Sequence, residues 1–283
     1  MDYFSLLERR LSGRDEFLPS YLGAKARTRQ FADLIGVRAP SIYISGPIET
    51  VLASQLPKSF ALKPAFASTS IGVRLLERKE DKWEDIVSRD VFSAEQLIEE
   101  AHDVSARYSD SPINDVFIAE ELLVGIDGSV PPADIRFYCF QGEIGMILME
   151  QHLENPVEAM YFDGDFMPFP DLPNRYGIAP GMSHLESIVE SQVPENWQEL
   201  LNVAKRISTA VATAFCRVDL YNTVNGIYLG EITFTPGTFY YKNRKIMSSA
   251  EAVRLGRMWQ DAEKRLSGSY AIKDPNQLRG LDF

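Results

Sequence analysis

The stretch RVDLYNTVNGIYLGEITFTPG, residues 217–237, reads as two strands around a turn. In a strand, every second side chain shares a face. Arg217 and Asp219 therefore share one face of the first strand, and Glu231 and Thr233 one face of the second. The register decides whether the two pairs meet. A two-residue turn at Asn225-Gly226 pairs Val224 with Ile227 and sends the acids to opposite sides. A three-residue loop, Val224-Asn225-Gly226, pairs Thr223 with Ile227 and sets Gly226 in the left-handed position that closes such a loop. Asp219 then faces Glu231, and Arg217 faces Thr233; this is the register we expect. Two carboxylates opposed across a strand pair repel unless a cation lies between them. A divalent ion with oxygen ligands meets that need, and Mg²⁺ suits carboxylates shared with phosphates. The competing reading, a solvated hairpin face, sits badly with the apolar sequence around it.

Two further stretches carry chemistry. LKPAFASTSIGV, residues 62–73, is a strand that delivers Lys63 into a small, hydroxyl-rich loop, Ser68, Thr69 and Ser70, before Gly72. Small residues let backbone N–H groups approach an anion, hydroxyls add donors, and Lys63 adds a point charge. An ordinary hairpin loop has the same composition. AEELLVGIDG, residues 119–128, is a strand running into an exposed segment. Such a segment can offer backbone groups to an adenine edge, and Asp127 can accept from ribose hydroxyls; acidic strand ends are also often simply solvated.

The rest of the chain reads as α+β rather than as a doubly wound parallel sheet, because its strands and helices come in blocks with long antiparallel hairpins. AKARTRQFADLIG and AEQLIEEAHDVSARY read as helices, the second with Ser93 and Gln96 as a capping box. PKSFALKPAF and IGVRLLER read as a strand and its return, and ERKEDKWED as a charged surface turn. IRFYCF and EIGMILME flank Gln141-Gly142 as a hairpin. Residues 164–196, rich in Pro, Gly and Asn, read as a long loop with a lid role. Two more helices are expected, at PENWQELLNVAKRISTAVATAF and AEAVRLGRMWQDAEKRL.

Forty acids against twenty-nine Lys and Arg give a net charge of −11, which argues against a nucleic-acid partner or a broad anionic-membrane surface. Cys139 and Cys216 lie in strand-like stretches without metal-ligand spacing and read as inert buried thiols. His102, His152 and His184 are scattered and form no metal pattern. With no signal-like or membrane-spanning apolar run, no membrane insertion and a cytoplasmic setting are expected.

Taken in order, these stretches resemble the ATP-grasp superfamily. KPAFASTSIG looks like the phosphate-loop segment of D-alanine:D-alanine ligases. The RxD and ExNxxPG elements of those ligases match Arg217 with Asp219, and Glu231 with Pro236 and Gly237. EELLVGID is similar to their hinge, with Glu120 at the adenine-contacting acid, Asp127 at the ribose-contacting one, and Glu121 and Leu123 between. GAKARTRQFADLIGVRAPSIY is similar to the segment with the earlier nucleotide-binding lysine, here Lys25. AEELLVGIDGSVPPADIRFYCFQGEI and RVDLYNTVNGIYLGEITFTPG resemble, more specifically, the TupA-like branch, named for teichuronopeptide biosynthesis. Thr233 stands where most of the superfamily has asparagine, Ser68 replaces a loop glycine, and Arg136 stands where the branch usually has lysine.

The resemblance implies an ATP-grasp fold, two α+β lobes clasping a nucleotide. The expected parts are an N-terminal helical segment over 1–54, a small lobe over 55–122 and a large lobe over 123–283. It implies a carboxylate–amine ligase using ATP and Mg²⁺, with Mn²⁺ as a substitute. Lys25, Lys63, Ser68, Thr69, Ser70, Glu120, Glu121, Leu123, Asp127 and Arg136 would bind the nucleotide; Asp219, Glu231 and Thr233 the metal; and Arg217 would act in catalysis. The partners are then a small carboxylate (an amino acid, a small peptide or a uronic-acid or polysaccharide-linked carboxylate) and an amine acceptor. A phosphotransferase and a non-catalytic nucleotide-binding partner stay open beside it.

Overall fold

The computed structural model describes residues 1–15, 18–23, 25–67 and 71–268. Helix α1 (Tyr3–Leu11) is capped by Asp2, whose carboxylate accepts from the Ser5 N–H at 2.8 Å. Its buried side chains Tyr3, Leu6 and Leu7 pack into the core formed with the last helix of the chain. Helix α2 (Lys25–Leu34) follows.

The small lobe comes next: β1 (Ile42–Gly46), α3 (Ile48–Ala53), β2 (Ser59–Pro64), β3 (Arg74–Lys79), β4 (Lys82–Asp85), β5 (Val91–Phe92), α4 (Ala94–Ala106) and β6 (Phe117–Glu120). Its strands form one antiparallel sheet in the order β1-β6-β2-β3-β4-β5. α4 begins with the capping box expected from the sequence: Ser93 accepts from the Gln96 N–H, and Gln96 accepts from the Ser93 N–H. ERKEDKWED is not a surface turn. It supplies the end of β3, a tight turn and β4, because Trp83 is buried on Phe60 with ring centroids 5.1 Å apart.

The large lobe holds β7 (Asp134–Phe140), β8 (Glu143–Gln151), β9 (Val157–Phe162), β10 (Tyr176–Ile178), β11 (Glu186–Ile188), α5 (Trp197–Ala210), β12 (Cys216–Thr223), β13 (Gly226–Thr233), β14 (Lys245–Met247) and α6 (Ser249–Leu266). Six strands form its main sheet in the order β11-β9-β8-β7-β12-β13, and β10 pairs with β14 apart from it. The β7–β8 hairpin turns at Gln141 and Gly142, both at positive φ, 47° and 85°.

The two faces of this sheet differ. Phe137, Cys139, Val218, Leu220 and Ile232 pack beneath Leu200, Ala204 and Ile207 of α5. Tyr138, Phe140, Met146 and Tyr161 pack on the other side, with α1 and α6. There Phe215 stacks on Trp259 at 4.5 Å, and Arg10 of α1 lies over the same indole while donating to the Phe215 and Phe234 carbonyls.

Three expectations change here. The segment 1–54 is not one unit: α1 packs on α6, whereas β1 and α3 belong to the small-lobe sheet and core. Residues 164–196 are not a free loop, because β11 adds to β9 in parallel and β10 pairs with β14. Tyr176 stacks on Tyr161 at 4.7 Å, so the segment is packed against the sheet. The β12–β13 hairpin closes with Thr223 opposite Gly226, through a two-residue turn at Val224-Asn225. Its register shifts by one between Asp219 and Leu220, where Gly230 is the extra residue.

Among the described residues, the two segments that enter and leave the small lobe are stitched together. The Glu121 N–H donates to the Ser41 carbonyl at 2.8 Å, and the Ser41 N–H donates to the Glu121 carboxylate at 3.1 Å. The chain thus leaves for the small lobe and returns from it at the same point. On the large-lobe side, Gly125 bridges to Thr223 and Arg38 to Tyr228.

Candidate functional site

Beyond the bulge, Asp219 faces Glu231 and Arg217 faces Thr233, the pairs expected from the sequence. The bulge produces them rather than a three-residue loop. β12 also pairs with β7, which sets Arg217 beside Tyr138 and Asp219 beside Arg136 in the middle of the sheet.

Arg217 grips Asp219 with two parallel bonds, Nε to Oδ1 at 2.7 Å and Nη2 to Oδ2 at 2.5 Å. Its Nη2 also donates to Thr233 Oγ1 at 3.2 Å and lies 3.9 Å from Glu231. Burial pushes the Asp219 carboxyl above its ordinary range, against the pull of Arg217 and Arg136. Burial weakens the charge on Arg217, but Asp219 outweighs it and holds the guanidinium charged.

A larger polar cluster adjoins this pair. Asp134, Arg136 and Glu150 share the face, and Lys245 of β14 pairs with both Glu150 and Glu186 of β11. Burial works against the Glu150 charge, but Arg136 and Lys245 hold its carboxyl below the usual range. Sequence reasoning missed Glu150, Glu186 and Lys245. Glu150 stands near the end of an apolar strand and Lys245 follows a basic run, so both look solvated until β14 brings Lys245 onto Glu150 and Glu186.

The nucleotide-binding candidates fall as follows. Lys63 on β2 forms an ion pair with Glu120 on β6, with side-chain exposures of 21% and 12%. Glu121 accepts from Tyr228 Oη of the large lobe at 3.1 Å and from the Ser41 N–H, so its carboxylate ties the connecting segments to β13. Leu123 lies half-buried in the connector that follows. Asp127 accepts from both the N–H and the hydroxyl of Ser129, at 3.0 and 2.6 Å, so the expected ribose acid caps a local turn. Arg136, expected beside the nucleotide, is held by Asp134 and Glu150 next to Asp219. Lys25 opens α2; its side chain, like Ser68, Thr69 and Ser70, lies outside the described residues.

Among the described residues, no three or more His, Cys, Asp or Glu are arranged to hold a metal. The donors at Asp219, Glu231 and Thr233 are two carboxylates and a hydroxyl, the oxygen set that Mg²⁺ takes when phosphates supply the remainder. Asp219 is a buried acid whose charge is costly, and Glu231 opens to solvent beside it. The residues present therefore fit such an ion. Cys139 and Cys216 lie opposite each other on the other face as free buried thiols, and burial pushes Cys216 up to about 12. Among the described residues, no helix is long and apolar enough to cross a membrane.

Two α+β lobes, with acids and an arginine on the inner strands of the larger, define an ATP-grasp protein. The family model for TupA-like ATP-grasp proteins matches residues 6–249, and the chain belongs to that family. Its fold is similar to that of a RimK-domain ATP-grasp protein from Sphaerobacter thermophilus, at 13% identity and a TM-score of 0.51 over 92% of this chain and 76% of that one. It also aligns with D-alanine–D-alanine ligase from Bacillus anthracis, at 16% identity and a TM-score of 0.49 over 87% and 69% of the chains. The ATP-grasp ligase PsnB aligns at 14% identity and a TM-score of 0.46, over 87% of this chain but 59% of its own. No curated protein matches the chain.

Proposed function

We propose that the protein is an ATP-dependent carboxylate–amine ligase, which forms an amide through an acyl phosphate and releases ADP and phosphate. The observation that carries the reading is the buried Arg217–Asp219 pair set in register with Glu231 and Thr233 in a chain of this family. In this reading Lys25 and Lys63 hold the phosphates under the loop of Ser68, Thr69 and Ser70. Glu120, Glu121, Leu123 and Asp127 line the nucleoside end, and Arg136 adds to the nucleotide site. Asp219, Glu231 and Thr233 would hold Mg²⁺, which offsets charge on the phosphate oxygens.

A substrate carboxylate oxygen bonds the γ-phosphorus as its bond to ADP breaks. An amine then attacks the carbonyl carbon, phosphate leaves and the amine loses a proton. Arg217, kept charged by Asp219, steadies the transferring phosphoryl group and the tetrahedral oxyanion. The substrate is an amino acid, a small peptide or a uronic-acid or polysaccharide-linked carboxylate, and the setting is cytoplasmic.

The test is incubation with ATP, Mg²⁺ and panels of these carboxylic acids, with hydroxylamine in place of the amine. ADP release and a hydroxamate that both depend on Asp219 and Glu231 are expected. AMP and pyrophosphate as products would overturn the acyl-phosphate route. A stable phosphorylated alcohol would make the protein a phosphotransferase, and ATP binding without turnover a nucleotide-binding partner.

A further inference from the structure

The charged face does not end at Asp219. Arg136 is held on two sides and stops short of the third. Its Nη2 donates to Asp134 Oδ2 at 2.9 Å and its Nη1 to Glu150 Oε2, while its Nε lies 4.0 Å from Asp219 Oδ2. That Nε is buried and has no hydrogen-bond partner among the described residues. A buried N–H so close to a carboxylate would bond to it if the guanidinium were free to move. Glu150, together with Asp134, holds the guanidinium back.

Glu150 is itself fixed. Lys245 Nζ lies 2.6 Å from its second oxygen and also bonds Glu186. The side chains of Lys245, Glu150 and Glu186 are at most 5% exposed. Lys245 comes from β14, which pairs with β10 apart from the main sheet, whereas Glu186 lies on β11 at the edge of that sheet, so Lys245 reaches Glu150 from outside the sheet.

Asp219 already spends a lone pair on each oxygen in binding Arg217. A second guanidinium in contact would leave a divalent ion competing with two fixed cations for one carboxylate. We propose that Glu150 is a positioning residue that holds Arg136 off Asp219 and so keeps Asp219 open to a divalent ion, with Lys245 fixing Glu150 from outside the sheet. The inference rests on the metal role given to Asp219 above.

The probe is Mn²⁺ alone, titrated into the full chain and followed by its electron paramagnetic resonance signal. Glu150→Gln keeps the shape and removes the pull on Arg136; its Mn²⁺ dissociation constant should rise about tenfold to a hundredfold. The double variant Glu150→Gln with Arg136→Gln removes the competing cation and should return to within about threefold of wild type. If Glu150→Gln does not fold, Lys245→Gln loosens the same anchor and should weaken Mn²⁺ binding in the same direction. An unchanged affinity in these variants overturns the inference. So does a loss that the double variant fails to restore, which is what a merely structural network would give. Asp219→Asn separates the two ideas: wild-type Mn²⁺ binding that does not depend on Asp219 overturns the metal assignment itself, and the inference with it.

Discussion

Asp219 and Glu231 face each other across β12 and β13, yet their side chains are 10% and 56% exposed. The two acids should therefore respond differently to the same change. Asp219→Asn leaves Arg217 buried without its carboxylate and is expected to cost about 3 kcal/mol. Glu231→Gln removes a charge from solvent and should shift stability by no more than about 0.5 kcal/mol. Both should lose Mg²⁺-dependent turnover. Urea unfolding and ADP release measure the two effects, and equal stability losses would contradict the assignment of Asp219 as the buried partner.

Gly230 is expected to resist substitution. A Cβ there would meet Tyr221 Cε2 at 2.6 Å. Gly230→Ala should cost about 1–3 kcal/mol and reduce turnover as well, since the bulge sets the register of Asp219 against Glu231. Thermal melts paired with ADP release check this. A variant with wild-type stability and activity would show that the hairpin reaches the same register another way.

Lys63→Ala should weaken ATP binding at least tenfold by calorimetry and cost only about 1 kcal/mol of stability, because solvent reaches both members of the Lys63–Glu120 pair. An unchanged nucleotide affinity would return the loop after β2 to an ordinary connection.

His152 supplies a pH dependence. Its Nε2 lies 3.0 Å from Asp134 Oδ2, and that bond raises the imidazole above its ordinary 6.5. A folded-state value above the unfolded one makes protonated His152 stabilising. Its contribution is complete below about pH 6.5 and is lost as pH rises through the raised folded value. His152→Gln should flatten the wild-type melting-temperature profile across that window and change little well above it. A profile that falls identically in both proteins would assign the effect to another group.

Much of this site was legible because charges at alternate positions of an apolar hairpin break the strand pattern. Arg217, Asp219, Glu231 and Thr233 stand together for that reason. The device that aligns them was not legible, since a glycine inside a strand marks a bulge, a bend or a close approach without saying which. Ser93 with Gln96 carried its own local signal and formed the expected cap. Glu150, Glu186 and Lys245 carried none, because their burial depends on β11 joining the sheet edge and on β14 bringing Lys245 to it from distant sequence. Asp127 has the residue type for a ribose contact, and the turn that Ser129 closes on it two residues on carried no separate signal.

The stitch between Ser41 and Glu121 has an evolutionary and practical consequence. Every strand of the small-lobe sheet lies between residues 42 and 120, and every strand of the main large-lobe sheet lies outside that interval. The small lobe is thus one continuous cassette, and its two ends lie close enough to be rejoined by a short loop. A related cassette could be spliced in at residues 41 and 121 without breaking a ladder of the other sheet. The two lobes of such a chain can accordingly be exchanged, and diversify, as separate parts.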